Sequence, residues 1–174
     1  PDALFPTLVS DYFHVPKNQN KMKMFTLLLS HKKKSLSDVQ VYFGYPQSNK
    51  LFYAGRTNRK GKLNIEYRSD ANLIAIFLLK NGYYTKFKEV DLTRGSIVRA
   101  SMDIGLDINL FALRKIQQQI IGVKGIEVYH QGVLLGRTNN FGYFSHKYKH
   151  EKDNLVSLEL KSKNYLPNRY SVDY

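Results

Sequence analysis

Apolar residues recur at every second position through much of this chain, the period that sets one face of a β-strand against a core and the other toward water. Val39, Val41 and Phe43 alternate with Gln40 and Tyr42, and Leu63, Ile65 and Tyr67 alternate with Asn64, Glu66 and Arg68. Further on, Phe144, His146 and Tyr148 alternate with Ser145, Lys147 and Lys149, and Val156, Leu158 and Leu160 with Ser157, Glu159 and Lys161. Strands are also predicted over residues 22–29 and 97–104. One segment breaks the rule. Ile74, Ile76 and Leu78 have Ala75, Phe77 and Leu79 on their other face, so that strand is apolar on both sides. Water does not favour such a face. Its cover is either internal, from the N-terminal residues or the second half of the chain, or a docking partner, for which Ala75, Phe77 and Leu79 are the candidate contacts. Residues 111–121, FALRKIQQQII, place Leu113, Ile116 and Ile120 at helical spacing. The repeat described next favours a strand there, laid over residues 24–29.

GRTNRKG begins at Gly55 and GRTNNFG at Gly136. The likeness extends well beyond these turns. Val41-Tyr42 matches Val128-Tyr129, Tyr67 matches Tyr148, Asn72-Leu73 matches Asn154-Leu155, and Tyr83 matches Tyr165. The register slips only at a shorter loop after Tyr129 and one extra residue before Asn154. Each copy reads as strand, turn, strand, with Asn and Gly supplying the turn chemistry. The fold expected is therefore all-β: two tandem small antiparallel β-sandwich modules, Ig-like or transthyretin-like, from an internal duplication. Residues 1–20 form an extended lead-in, residues 21–105 the first module and residues 106–174 the second, with a hinge at 105–110.

These positions carry a resemblance. Gly55, Thr57, Asn58, Gly61, Leu63, Gly82 and Tyr83, repeated as Gly136, Thr138, Asn139, Gly142, Phe144 and Tyr165, resemble the turn and strand signature of carboxypeptidase-regulatory-like and PEGA-type β-sandwich modules. The second copy departs from it with Asn164 before Tyr165. The likeness spans residues 25–92 and 110–174. It implies a non-catalytic spacer or binding module of bacterial envelope or secreted proteins, so a periplasmic, cell-surface or secreted location. The chain opens on Pro1, as expected of a fragment or processed form.

Composition changes this picture in two ways. Thirteen Tyr and ten Phe without a Trp suit strands. A formal charge of +13 attracts polyanions, whether nucleic acid, lipid headgroups or acidic glycans, and also fits an ordinary soluble surface. The candidate anion contacts are Lys32, Lys33 and Lys34 in one loop, Arg56 and Arg137 beside the duplicated turns, and Lys147 and Lys149 on one strand face. For the two arginines, plain solvation is the competing reading. Tyr83, Tyr84, Lys86, Phe87 and Lys88 form a basic-aromatic run.

Chemistry is sparse. No Cys is present, which excludes disulfides, thiolate metal sites and Cys nucleophiles. His146 and His150 would stand about 13 Å apart along a strand, too far for one ion. Carboxylates are scattered, and no phosphate-binding Gly-rich loop or nucleophile elbow occurs. No enzyme activity, metal or cofactor is expected, and the apolar run at residues 73–79 is too short to span a bilayer. The expected partner is a protein in an envelope assembly or an anionic surface polymer. The alternatives are a nucleic-acid-binding basic β protein, which would need one contiguous basic face, and a carbohydrate-binding module, against which the lack of Trp counts.

Overall fold

The computed structural model describes residues 21–105, 107–116, 119–147, 155–163 and 165–173. The expected lead-in at residues 1–20, Tyr148, Lys149 and His150 lie outside them. The fold is all-β, and its strands form two successive sets.

In the first set, β1 (Met22–His31) pairs antiparallel with β5 (Lys62–Arg68) and with the short β2 (Lys34–Ser35). On its other side β1 pairs parallel with β8 (Ile97–Ser101). These strands make the first sheet. The second sheet has the order β4 (Leu51–Arg56), β3 (Gln40–Gly44), β6 (Leu73–Leu79), β7 (Lys86–Asp91). The later strands repeat the scheme. β9 (Asp107–Phe111) pairs with β14 (Tyr143–Lys147) as β1 pairs with β5, forming a third sheet. The fourth sheet runs β13 (Val133–Arg137), β12 (Glu127–His130), β15 (Leu155–Ser162), β16 (Tyr165–Asp173), in the order of the second. Both β3–β4 and β12–β13 carry a bulge at the same place, after Val41 and after Val128.

Alternation along the strands stacks the four sheets in series, with an apolar layer in each of the three gaps. Phe25, Leu27, Leu29, Val41, Phe43, Ile65, Ile74, Ile76 and Leu78 fill the first gap. Tyr42, Leu51, Ala75 and Phe77 meet Phe141 and Tyr143 in the second. Ile108, Val128, Phe144 and Leu158 fill the third.

The duplicated GRTN turn is a hydrogen-bond cassette, used twice with the same partners. Thr57 Oγ1 donates to the Leu36 carbonyl (2.9 Å) and accepts from the Val39 N–H (3.0 Å). Thr138 Oγ1 donates to the Val123 carbonyl (2.7 Å) and accepts from the Ile126 N–H (3.0 Å). These two threonines are the buried polar residues among the described ones. Asn58 Oδ1 accepts from the Lys60 and Lys62 N–H groups, and Asn139 Oδ1 from those of Phe141 and Tyr143. The glycine that closes each turn stands at φ 68° (Gly61) or 72° (Gly142), where a Cβ would fall 2.3 Å from the Leu29 carbonyl oxygen or 2.0 Å from that of Ala112. Only glycine fits both the angle and the approach.

This cassette corrects one expectation. Leu36 N–H donates to the Leu29 carbonyl, and Val123 N–H to that of Ala112, so Ala112 is the counterpart of Leu29 and Val123 of Leu36. The segment laid over residues 24–29 is therefore β9, not residues 111–121. Residues 113–116 and 119–122 are β-structure as expected, but they pair as β10 (Leu113–Ile116) and β11 (Gln119–Gly122), where the first copy has the shorter residues 30–35. Of the expected hinge, residues 107–110 belong to strand β9, and Gly105 lies so close under the Tyr84 ring that a Cβ would come within 2.1 Å of it.

Replacing Thr57 by Val keeps the volume but strands a buried N–H and a buried carbonyl. Urea unfolding should show a loss of about 2–4 kcal/mol for Thr57→Val or Thr138→Val, and under about 1 kcal/mol for the serine variants, which keep the hydroxyl.

Candidate functional site at the junction of the two halves

The two-sided apolar strand β6 lies in the second sheet, which has a neighbour on each side. Ala75 and Phe77 have 0% exposure, and Leu79 packs beside them. The Phe77 ring is surrounded: its centroid lies 5.0 Å from Phe87, 5.1 Å from Tyr143, 5.4 Å from Phe141 and 5.7 Å from Phe111. The face considered for an external partner at Ala75, Phe77 and Leu79 is thus covered by the chain's own second half, the internal alternative. In β15 the matched positions Ser157, Glu159 and Lys161 are polar, and among the described residues no further sheet packs on that face. The β10–β11 hairpin adds a backbone clasp: Gly122 N–H donates to the Asn49 carbonyl (2.8 Å), Asn49 Nδ2 returns a bond to Gly122 (3.3 Å), and Lys50 bridges Ile121.

A polar seam borders this layer. The Asp107 carboxylate accepts from the Thr85 N–H (2.8 Å), the Thr85 hydroxyl (3.3 Å), Asn109 Nδ2 (2.7 Å) and the Ser145 hydroxyl (3.0 Å). It joins the end of the β6–β7 connection to both strands of the third sheet. Tyr143 donates its hydroxyl to Asn109 Oδ1 (3.1 Å). Burial pushes the Tyr143 phenol up to about 12, and burial does the same to Tyr42.

The expected anion contacts fall on separate elements. Lys32 and Lys33 are the two central residues of the β1–β2 hairpin, at φ 46° and 68°. A two-residue turn with both φ values positive favours Asn-Gly, and left-handed backbone costs an ordinary side chain about 1–2 kcal/mol. Lys32, Lys33 and Lys34 are all exposed. Beneath them His31 Nδ1–H donates to the Met102 carbonyl (2.9 Å), and its ring meets Tyr83 edge-on at 5.4 Å. Arg56 is hydrogen-bonded to Asp38 (2.8 Å), and Arg137 Nε to Glu127 (3.1 Å). Those bonds hold the Asp38 and Glu127 carboxyls below their ordinary values. The matched arginines are therefore committed to carboxylates, a different one in each copy. Lys147 Nζ stands 4.8 Å over the Tyr84 ring, a cation–π contact across the junction. Lys149 lies outside the described residues.

The basic-aromatic run serves mainly structure. Lys86 Nζ donates to the Ser101 carbonyl (2.8 Å) and Lys88 Nζ to that of Arg99 (3.3 Å). Both carbonyls point away from β1, so the lysines cap the edge of β8 that no described strand pairs with. Phe87 between them packs on Phe77. Along the sequence Asp107 is one scattered carboxylate among several. Its position as the first residue of β9, on the face opposite Ile108, is the signal that marks it. Among the described residues no three His, Asp or Glu side chains converge on a metal position. The His146 ring lies parallel to Phe144.

No family model and no curated protein matches this sequence. Among solved structures the chain is similar to a streptococcal ancillary pilin, at a TM-score of 0.36 and 10% identity. The alignment covers 88% of this chain and 59% of the pilin, so the chain spans about three-fifths of that protein's length.

Two outcomes test the junction. Phe77→Ala should cost about 3–5 kcal/mol in denaturant unfolding, the range for emptying a buried aromatic site. Tyr42 and Tyr143 ionise near 12 when folded against about 10 in an unfolded chain. Their burial is therefore harmless below pH 10, and stability falls as pH rises from about 10 through 12, because only the unfolded state binds fewer protons there. Tyr143→Phe should flatten that alkaline decline, measured by unfolding at fixed denaturant.

Proposed function

We propose that this chain is a non-enzymatic structural and binding module of a bacterial envelope or secreted assembly: it holds two β-sandwich units at a fixed spacing and presents a basic hairpin to an anionic surface polymer or a protein partner. The observation that carries this reading is the Phe77 layer, which makes four sheets into one body instead of two units on a tether. Three gaps between stacked sheets set the outermost sheet planes roughly 30 Å apart. The resemblance to regulatory-like and PEGA-type spacer modules supports the same reading.

The carboxylates also support it, because their visible work is structural. Asp38, Asp70, Asp91, Glu127 and Glu159 each pair with an Arg or Lys, and Asp107 ties the junction. The β1–β2 hairpin is different. It retains two lysines in a conformation that Asn-Gly would adopt with less strain, and backbone strain kept in place of an easier residue points to use of the side chains.

The fixed-spacing part is tested by 15N relaxation. One rotational correlation time should describe both sets of strands, and Phe77→Asp should split it into two faster ones; two correlation times in the native chain would refute the spacer reading. The hairpin is tested by Lys32→Asn with Lys33→Gly. That double variant should gain about 1–2 kcal/mol of stability while losing affinity for an anionic polymer. A gain in stability with undiminished binding would remove the hairpin from the function.

A further inference from the structure

The same sheet face has opposite fates in the two copies. In the third sheet the face bearing Phe111 and Tyr143 packs against the second sheet. Its counterpart on the first sheet bears Leu28 at the Phe111 position and Lys62 at the Tyr143 position, and Lys62 is exposed. Strand register fixes what surrounds them. Arg99, Leu28 and Lys62 are cross-strand neighbours in one row, and Ser101, Ser30 and Ser35 form the next row toward the lysine hairpin. Leu27 and Leu29 point into the core at 0% and 2% exposure, so these two rows point out of it. Below them come Ile97, Thr26 and Asn64, with Thr26 donating its hydroxyl to Asn64 Oδ1, then Met24 with Glu66, and last Met22 with Arg68, which is paired with Asp70.

Cations ring the serine row. Arg99 and Lys62 stand on the strands either side of β1, about 10 Å apart. Neither belongs to any of the five ion pairs among the described residues. The Lys86 and Lys88 ammonium groups sit at the β8 edge on the Ser101 and Arg99 carbonyls, and Lys32 and Lys33 stand at the hairpin tip beyond Ser30 and Ser35. Three hydroxyls between flanking cations offer hydrogen bonds to sugar hydroxyls and charge for carboxylate or sulfate. Met24 and Ile97, more than half exposed, offer apolar contact to the C–H face of a pyranose. The outward positions on β1, β5 and β8 carry no aromatic ring, so the stacking that single-stranded nucleic acid uses is not provided here.

From this geometry we infer that the exposed face of the first sheet, centred on Ser30, Ser35, Ser101, Arg99 and Lys62, is a binding surface for a linear acidic polysaccharide. It rests on the binding-module reading above and names the polymer and its floor. Where the second copy fills this face with rings to dock on the first, the first copy keeps hydroxyls and charge for an outside ligand.

The test is titration of the full chain with heparin and polygalacturonate, and in parallel with poly(U) and phosphatidylglycerol vesicles, with amide shifts mapped by NMR. Arg99→Glu with Lys62→Glu should weaken glycan binding by about tenfold or more, while Lys124→Glu with Lys163→Glu, an equal change of charge at exposed sites elsewhere, should weaken it less than about threefold. Shifts should centre on Ser30, Ser35 and Ser101. Equal losses in both double variants would overturn the inference in favour of diffuse attraction by net charge, and shifts confined to residues 32–34 would return the site to the hairpin alone. Tighter binding to poly(U) or to vesicles than to either glycan would replace the ligand class. Binding to none of the four probes would overturn this inference and the polymer arm of the proposed function, while the relaxation measurement would still decide the spacer.

Discussion

A β-sheet that is apolar on both faces cannot border water on either side, and β6 makes the second sheet such a sheet. That single constraint organises the molecule. One face needs the first sheet and the other needs the third, so the two sandwiches cannot stay apart. Phe77 sits where the requirement is most severe, with four rings around it, and no hydrogen bond could substitute for that contact. Charge, hairpin lengths and the polar seam at Asp107 are arranged around an apolar layer whose position is already set.

Within each sandwich a second device does local work at much lower apolar cost. A threonine hydroxyl and an asparagine carboxamide satisfy four backbone groups at the point where the chain leaves one sheet for the other. The partners are the same atoms in both copies, although the residues around them have drifted from Lys60 to Phe141 and from Lys62 to Tyr143. Backbone groups accept any side chain, so a cassette that bonds only backbone leaves its neighbours free to become a docking surface in one copy and a solvent face in the other. The arginine next to it shows the same freedom, pairing with Asp38 in one case and Glu127 in the other.

Most of the strand scheme was legible in the sequence because period-two alternation and the repeated turn report on local geometry. The asymmetry between Phe77 and Glu159 was legible too, since it needed only the comparison of two copies. What covers Phe77 was not, because alternation says that a face is buried and is silent about what buries it. The β9 register was misread for a related reason. Residues 111–121 are apolar enough to pass for a core strand, and only the hydrogen bonds of Ala112 and Val123 reveal a lengthened hairpin there. Cross-strand rows such as Ser101, Ser30 and Ser35 join residues far apart in sequence, so no window along the chain could have assembled them.

The parallel pairing of β8 with β1 has a consequence for synthesis. The first sandwich is complete once Ser101 has left the ribosome, because its last strand closes on residues 26–30. The rings that cover Phe77 come from Phe111, Phe141 and Tyr143, which emerge only afterwards. For some forty residues of elongation, a few seconds at ordinary rates, the nascent chain carries a finished domain with a bare aromatic face. Crowded polysomes would bring such faces together, so the order of the strands ties the time each nascent chain can associate with its neighbours to the speed of translation through residues 102–143.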